Sequence, residues 1–195
     1  MVCFSEDGDL LSQWRAYGGG GSGYSIGAKT EDIQNKLNGT ILRKVEYDYD
    51  KQLLYVFNVI DINFNFFNNL KTNGIEITEE LIEKCTNTFI NQLAILMFGF
   101  KHESFKEEKE WRIIDLPAPE NEYKLIKFRN SCGKLLPYVE IAIFINDNDV
   151  EKLPIKKIIF GPLLNKELTY KSLDLLTKRH QYKDVVIEKS KIPLG

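Results

Sequence analysis

Between Cys3 and Gly27 the chain reads CFSEDGDLLSQWRAYGGGGSGYSIG, which compresses a strand end, a short aromatic helix and a glycine loop into one unit. Such density marks a candidate site. Val2, Cys3 and Phe4 read as a buried strand. Asp9 stands where it can cap the helix, on which Leu10, Leu11, Trp14 and Tyr17 share an apolar face. Gly18 to Gly21 must end that helix, after which Tyr24 and Ile26 alternate as in a strand.

Thr30, Glu31 and Asp32 open a further short helix that Asn38-Gly39 closes, and Ile41 to Tyr47 is the next strand. Leu54, Phe57, Asp61 and Phe64 predict a helix from about Asp50 to Leu70, against the aromatic and β-branched content of that segment. Thr78 starts the clearest helix, where Ile82, Cys85, Phe89, Leu93, Leu96 and Met97 keep helical spacing until Gly99. Ser104 and Glu107 form a capping-box pattern ahead of a strand from Trp111 to Ile114. Tyr123 to Phe128 and Leu136 to Ile145 are predicted to pair as a hairpin across Ser131-Cys132-Gly133. Ile155 to Phe160 is a strand broken by Gly161-Pro162, Asn165 caps a helix to about Arg179, and Val185 to Glu188 is the last strand.

Helices grouped early and strands grouped late define an α+β fold, with one mixed or mostly antiparallel sheet and flanking helices in a single domain over residues 1–195. The buried strand that opens the chain predicts an upstream element, without which an open sheet edge would favour self-association. A hydrophobic fraction of 43% excludes global disorder, and a net charge of -2 excludes the basic field of a nucleic-acid binder beyond local clusters such as Lys156-Lys157 and Lys178-Arg179-His180. Three scattered cysteines and two histidines suit neither a disulfide framework nor a zinc site, so no metal is expected. The longest apolar run, Leu93 to Phe100, is far short of the ~20 residues that span a bilayer, and the expected location is the cytoplasm.

Five candidates suit chemistry. Gly20 and Gly21, within the run Gly18 to Gly23, leave backbone N–H groups unobstructed for a pyrophosphate, or form a mobile hairpin loop. Glu108 and Glu110 share one face if the strand begins at Glu108. There they serve as a carboxylate pair for a sugar-like cationic transition state, or as an acidic turn salt-bridged by Arg112. Trp14, Arg15, Tyr17 and Tyr24 set flat rings beside a cation, suited to stacking nicotinamide or adenine, or are core. Ser5 meets a ligand or caps a turn; His102 beside Glu103 is an acid–base pair or a structural histidine; Cys132 has no histidine partner at nucleophile spacing.

Taken in order, Cys3-Phe4-Ser5-Glu6, Leu11 to Tyr17, Gly23 to Gly27, Lys101-His102, Glu108, Glu110-Trp111-Arg112, Pro137 to Glu140, Ile158 to Pro162 and Ser190 to Pro193 resemble the bacterial domain-of-unknown-function family 2971. The resemblance implies about a hundred further residues upstream, and it carries no agreed activity. More distantly the layout is similar to ADP-ribosyltransferases, with NAD as substrate, in a toxin or defence effector. That likeness implies Ser5 as the second catalytic element and Glu108-Lys109-Glu110 as the third. Glu110 would then stabilise the oxocarbenium, Glu108 would align the acceptor, and Trp14 or Tyr24 would stack the nicotinamide. The alternative is a non-catalytic ligand- or protein-binding module in a defence system; the expected partner is a small-molecule nucleotide.

Overall fold

The computed structural model describes residues 1–34, 40–115, 126–131, 133–140, 145–147 and 150–193. In chain order the elements are β1 (Val2–Ser5), α1 (Leu11–Ala16), β2 (Tyr24–Ala28), α2 (Thr30–Gln34), β3 (Ile41–Lys44), α3 (Tyr49–Thr72), α4 (Glu79–Phe98), β4 (Glu110–Ile114), β5 (Lys127–Ser131), β6 (Lys134–Tyr138), β7 (Ile145–Asp147), β8 (Val150–Lys152), β9 (Ile155–Phe160), α5 (Lys166–Arg179) and β10 (Val186–Lys189). Short 3-10 turns lie at Gly19–Gly21 and Glu103–Glu108. The chain forms two compact units that interleave in sequence: Met1–Phe4 with Thr40–Pro117, and Ser5–Gly39 with Ala118–Gly195. Among the described residues no helix is long and apolar enough to cross a membrane.

The first unit joins the sheet β1-β4-β3 to the helical hairpin α3–α4. β3 and β4 run antiparallel with Ile41 opposite Ile114 and Lys44 opposite Trp111, and Ile113 and Ile114 are buried almost completely. The strand predicted from Ile41 to Tyr47 stops at Lys44 because the chain changes partner: Val45 N–H still donates to Glu110 O, but Glu46 pairs with the segment around Phe100. Asp48 caps α3 by accepting from Lys51 N–H (3.1 Å), and Thr78 caps α4 by accepting from Leu81 N–H (3.3 Å). Both helices stand where periodicity placed them. The modest propensity of α3 is offset by its seam with α4, where Val56, Val59, Asn63 and Phe67 turn inward along with Cys85, Phe89, Gln92 and Leu96. The polar pair in that seam is satisfied, since Asn63 Nδ2 donates to Gln92 Oε1 at 2.8 Å.

The second unit holds the mixed sheet β10-β9-β2. β9 and β10 are parallel with α5 between them in sequence, and β2 is antiparallel to β9 with Tyr24 opposite Phe160 and Ile26 opposite Ile158. Ile158, Phe160 and Leu173 of α5 form the core. Asn165 caps α5 as predicted, accepting from Leu168 N–H at 3.0 Å. β5 and β6 form a hairpin near the expected turn but with other bounds: Ser131, expected in the turn, lies in β5 opposite Lys134, β6 ends at Tyr138, and Ile145, expected at the end of that strand, opens β7 and pairs with Lys152 of β8. Asn38-Gly39, Tyr123 and Cys132 lie outside the described residues.

The α+β class holds, but the single sheet does not: the described strands form two three-stranded and two two-stranded sheets. Alternation specifies that a segment is extended and not what it pairs with, and here β2 joins β9 while β3 joins β4. Nor is the glycine run a loose hairpin. Gly161 N–H donates to Gly23 O (2.9 Å) and Leu163 N–H to Gly21 O (3.1 Å). A Cβ on Gly161 would sit 2.1 Å from Gly21 O, a backbone atom that cannot swing aside. Gly161→Ala should therefore lower the unfolding free energy by about 3 kcal/mol. Gly20→Ala, at φ +63 with nothing within 4 Å, should lose only about 1 kcal/mol to backbone strain. Paired urea titrations read the difference.

Candidate functional site

Glu110 opens β4 and is 5% exposed. A buried carboxylate needs compensation, and three contacts supply it. Arg112, two residues on and so on the same face of the strand, donates through Nε to Oε1 (2.8 Å) and through Nη2 to Oε2 (3.1 Å). Lys101 Nζ donates to Oε2 at 3.0 Å. Arg112 also donates through Nη1 to Phe98 O (2.7 Å), which satisfies a carbonyl at the end of α4, while Glu110 N–H donates to the Tyr47 hydroxyl (2.9 Å). Burial alone would raise the Glu110 pKa. The hydrogen bonds from Arg112, Cys3 and Lys101 outweigh it and bring the carboxyl down to about 2. Reciprocally, although Cys3 is an exposed residue, partial desolvation and then the Glu110 carboxylate push its thiol up to about 11.

The extended segment begins at Glu110 and not at Glu108, because Lys109 takes a left-handed conformation (φ 44) at the end of the 3-10 turn. Glu108 and Glu110 still converge, by another route: Lys101 Nζ reaches Glu108 Oε2 at 2.6 Å and Glu110 Oε2 at 3.0 Å. Lys101 also stands 4.6 Å from the centre of the Phe105 ring. A polar cleft of about 230 Å³ lies on this unit, lined by Tyr47, Asp48, Tyr49, Asp50, Glu103 and Lys106, smaller than most small-molecule pockets. His102 caps the 3-10 turn, its Nδ1 accepting from Ser104 N–H (3.2 Å), so the cap expected of Ser104 belongs to the histidine.

The second unit has its own hydrogen-bonded acid, the half-buried Asp9. Asp9 does not cap α1, whose first residue follows Leu10 with no side-chain cap. Instead Oδ1 accepts from Trp14 Nε1 (2.7 Å) and from Ser190 Oγ, and Oδ2 accepts from Lys191 N–H (2.8 Å). Burial opposes the charge, but Ser190, Lys191 and Trp14 together hold Asp9 below the usual carboxylate range. Trp14, 3% exposed, is thus a core residue with its N–H satisfied. Ser5 closes a turn, its hydroxyl donating to Asp7 O (2.9 Å) and accepting from Asp7 N–H (3.2 Å).

The glycine loop closes on itself. Gly23 N–H donates to Gly18 O (2.8 Å), Gly21 N–H to the same oxygen, and Gly18 N–H to Gln13 O, so these donors face inward and not toward an anion. The Gly18–Gly23 bond sets Tyr17 and Tyr24 one residue outside a common neck, with Arg15 a few residues before it. Tyr17 is 77% exposed, Tyr24 53%, and Arg15 is exposed without an ion pair among the described residues. Of the predicted site residues, Glu108 and Glu110 belong to the first unit, while Ser5, Trp14, Arg15, Tyr17, Gly20, Gly21 and Tyr24 belong to the second. Lys101, Tyr47 and Ser190 were not predicted as parts of a site. Lys101 and Ser190 stand in the quoted motifs, which was their only signal. Among the described residues no group of three or more His, Cys, Asp or Glu side chains is placed to hold a metal.

The fold and clusters define an α+β protein of small sheets, each unit braced by a hydrogen-bonded internal carboxylate. The chain belongs to the family DUF2971, described as "Protein of unknown function", whose model matches residues 13–113. No curated protein and no solved structure matches it.

Replacing Glu110 by glutamine leaves Arg112 without its anion and Lys101 with Glu108 alone, and a loss of about 3 kcal/mol is expected. Because the folded pKa of about 2 lies below the ordinary 4.5, this stabilisation is complete above about pH 4.5 and disappears as pH falls toward 2. Chemical denaturation across that window should show a steep loss in the native chain and a flatter one in Glu110→Gln. In the same variant, at a pH where both proteins stay folded, Cys3 should react faster with N-ethylmaleimide, having lost the carboxylate that disfavours its thiolate.

Proposed function

We propose that the chain is a non-catalytic binding module whose ligand-facing surface is the neck formed by Tyr17, Tyr24 and Arg15, and that its ligand is a small nucleotide. One observation carries the proposal: two tyrosines exposed by half or more flank a closed, clamped loop, with the exposed Arg15 guanidinium a few residues before it and without an ion pair among the described residues. Rings on a rigid support stack a planar base at little entropic cost, and arginine adds a cation for a phosphate or a face for the ring.

Turnover of NAD in the manner of an ADP-ribosyltransferase draws on a different observation, the convergence of Glu108 and Glu110 on Lys101. The charge state of Glu110 weighs against it. A carboxylate with a pKa of about 2 has no proton to donate near neutrality, and its field is already opposed by Arg112 and Lys101 when an oxocarbenium would need it.

Saturation-transfer NMR with NAD and with ADP-ribose separates the two readings. The module should transfer saturation to the base protons of both. Tyr17→Ala/Tyr24→Ala should abolish that transfer, Glu110→Gln should retain it, and no free nicotinamide should accumulate over hours. Release of nicotinamide that disappears in Glu110→Gln would establish the enzyme instead. Absence of transfer from the native chain would remove the nucleotide.

A further inference from the structure

We infer that the α3–α4 hairpin is a dimerisation surface, on which a second copy of this chain packs the same face to complete a four-helix bundle. The seam between the two helices accounts for only part of their apolar surface. On α3, Leu53, Phe57, Ile60 and Phe64 are 38%, 59%, 41% and 64% exposed, and on α4, Ile82, Ile90 and Met97 are 46%, 55% and 70% exposed. At about 100° per residue, each stripe is rotated from its own helix's seam by about 90° in the same sense. In an antiparallel hairpin, equal rotations in the same sense bring both stripes to one side. The two therefore form one continuous apolar face, with half-buried Leu93 between Ile90 and Met97. The opposite flank is partly occupied, since Tyr55 stacks on Phe100 and lies under Arg43.

Area, charge and register select a second copy as the occupant. Seven large side chains about half exposed offer on the order of 700 Å², close to the ~800 Å² that each partner contributes to a stable interface. From Gln52 to Leu70 the only charged residue is Asp61, at the margin of the face, and from Cys85 to Phe98 there is none. A charged partner would find little to pair with, whereas an identical neutral face meets no repulsion. A two-fold axis crossing α3 between Ile60 and Asp61 sets Phe57 against the second copy's Phe64. The same axis sets Asp50, in the first turn, against the second copy's Lys71, in the last. Near the same level on α4 it sets Ile90 against the second copy's Leu93.

Light scattering across a concentration series tests this with the full chain. The expected mass is about 45 kDa, twice the 22.6 kDa of one chain. Phe57→Glu/Phe64→Glu should reduce it to one chain while leaving the far-ultraviolet circular dichroism unchanged, because neither residue lies in the seam. Should that variant lose helicity, Phe57→Gln alone serves, with an expected tenfold or greater rise in the dimer dissociation constant. A native chain that stays monomeric at 100 µM, or a variant that stays dimeric, would overturn the proposal. So would a mass that climbs without limit, the mark of pairing at an open sheet edge, or flotation of a monomeric chain with phosphatidylcholine vesicles.

Discussion

In the first unit, the constraint on which most else depends is the need to compensate one carboxylate in a site 5% exposed to water. Glu110 cannot remain ionised there unless Arg112 and Lys101 are held against it. Holding them fixes the chain over a wide stretch. Arg112 reaches the last turn of α4 through Phe98 O, Lys101 fixes the turn that carries Glu108, and the Glu110 amide engages Tyr47 just ahead of the Asp48 cap of α3. The start of one long helix and the end of the next are thus referred to a single strand residue. A hydrophobic contact at that point would hold the elements together but not fix their angle, because dispersion is nearly indifferent to orientation and a forked guanidinium is not.

Asp9 does comparable work in the second unit. It joins Trp14, five residues on, to Ser190 and Lys191 near the other end of the sequence. Gly161, Gly21 and Gly23 add a second tie, in which absence of a side chain lets two backbone segments approach. Motif density around Cys3 to Gly27 therefore has a structural source. Short segments that meet distant segments through hydrogen bonds tolerate few substitutions, whether or not a substrate is involved.

That also marks how far the fold was legible in sequence. α3, α4 and α5 were readable because each carries a local signature: Asp48, Thr78 and Asn165 ahead of the first turn, and apolar residues at helical spacing behind. β9 and the turn region of the β5–β6 hairpin were readable for similar reasons, although the bounds of the two hairpin strands were not. The division into several sheets was not, since partner choice between β2 and β9 depends on residues more than a hundred positions apart. Asp9 was misread for a related reason. An aspartate two residues before a helix has the local appearance of a cap, and only the tertiary fold brings Ser190 and Lys191 within its reach. The Glu108–Glu110 pairing was legible, although the strand alternation used to infer it was not what produced it; Lys101 was.

Paired carboxylates on a strand suggest acid–base or oxocarbenium chemistry only while their charge remains available. Each donor that lowers a carboxylate's pKa also consumes the potential it could offer a substrate, and the contacts that bring the Glu110 carboxyl down to about 2 are of that kind. Tyr17, Tyr24 and Arg15 present the reverse case, for they are exposed, make no ion pair among the described residues, and flank or precede a loop closed by the Gly18–Gly23 hydrogen bond. The face of α3 and α4 has the same character in apolar form. Helices with so little charge across their middle are stable in water only when a large part of their circumference is covered, and their mutual seam covers one side. The interior of each unit is thus committed to holding its shape, which is why both proposals place binding on these surfaces.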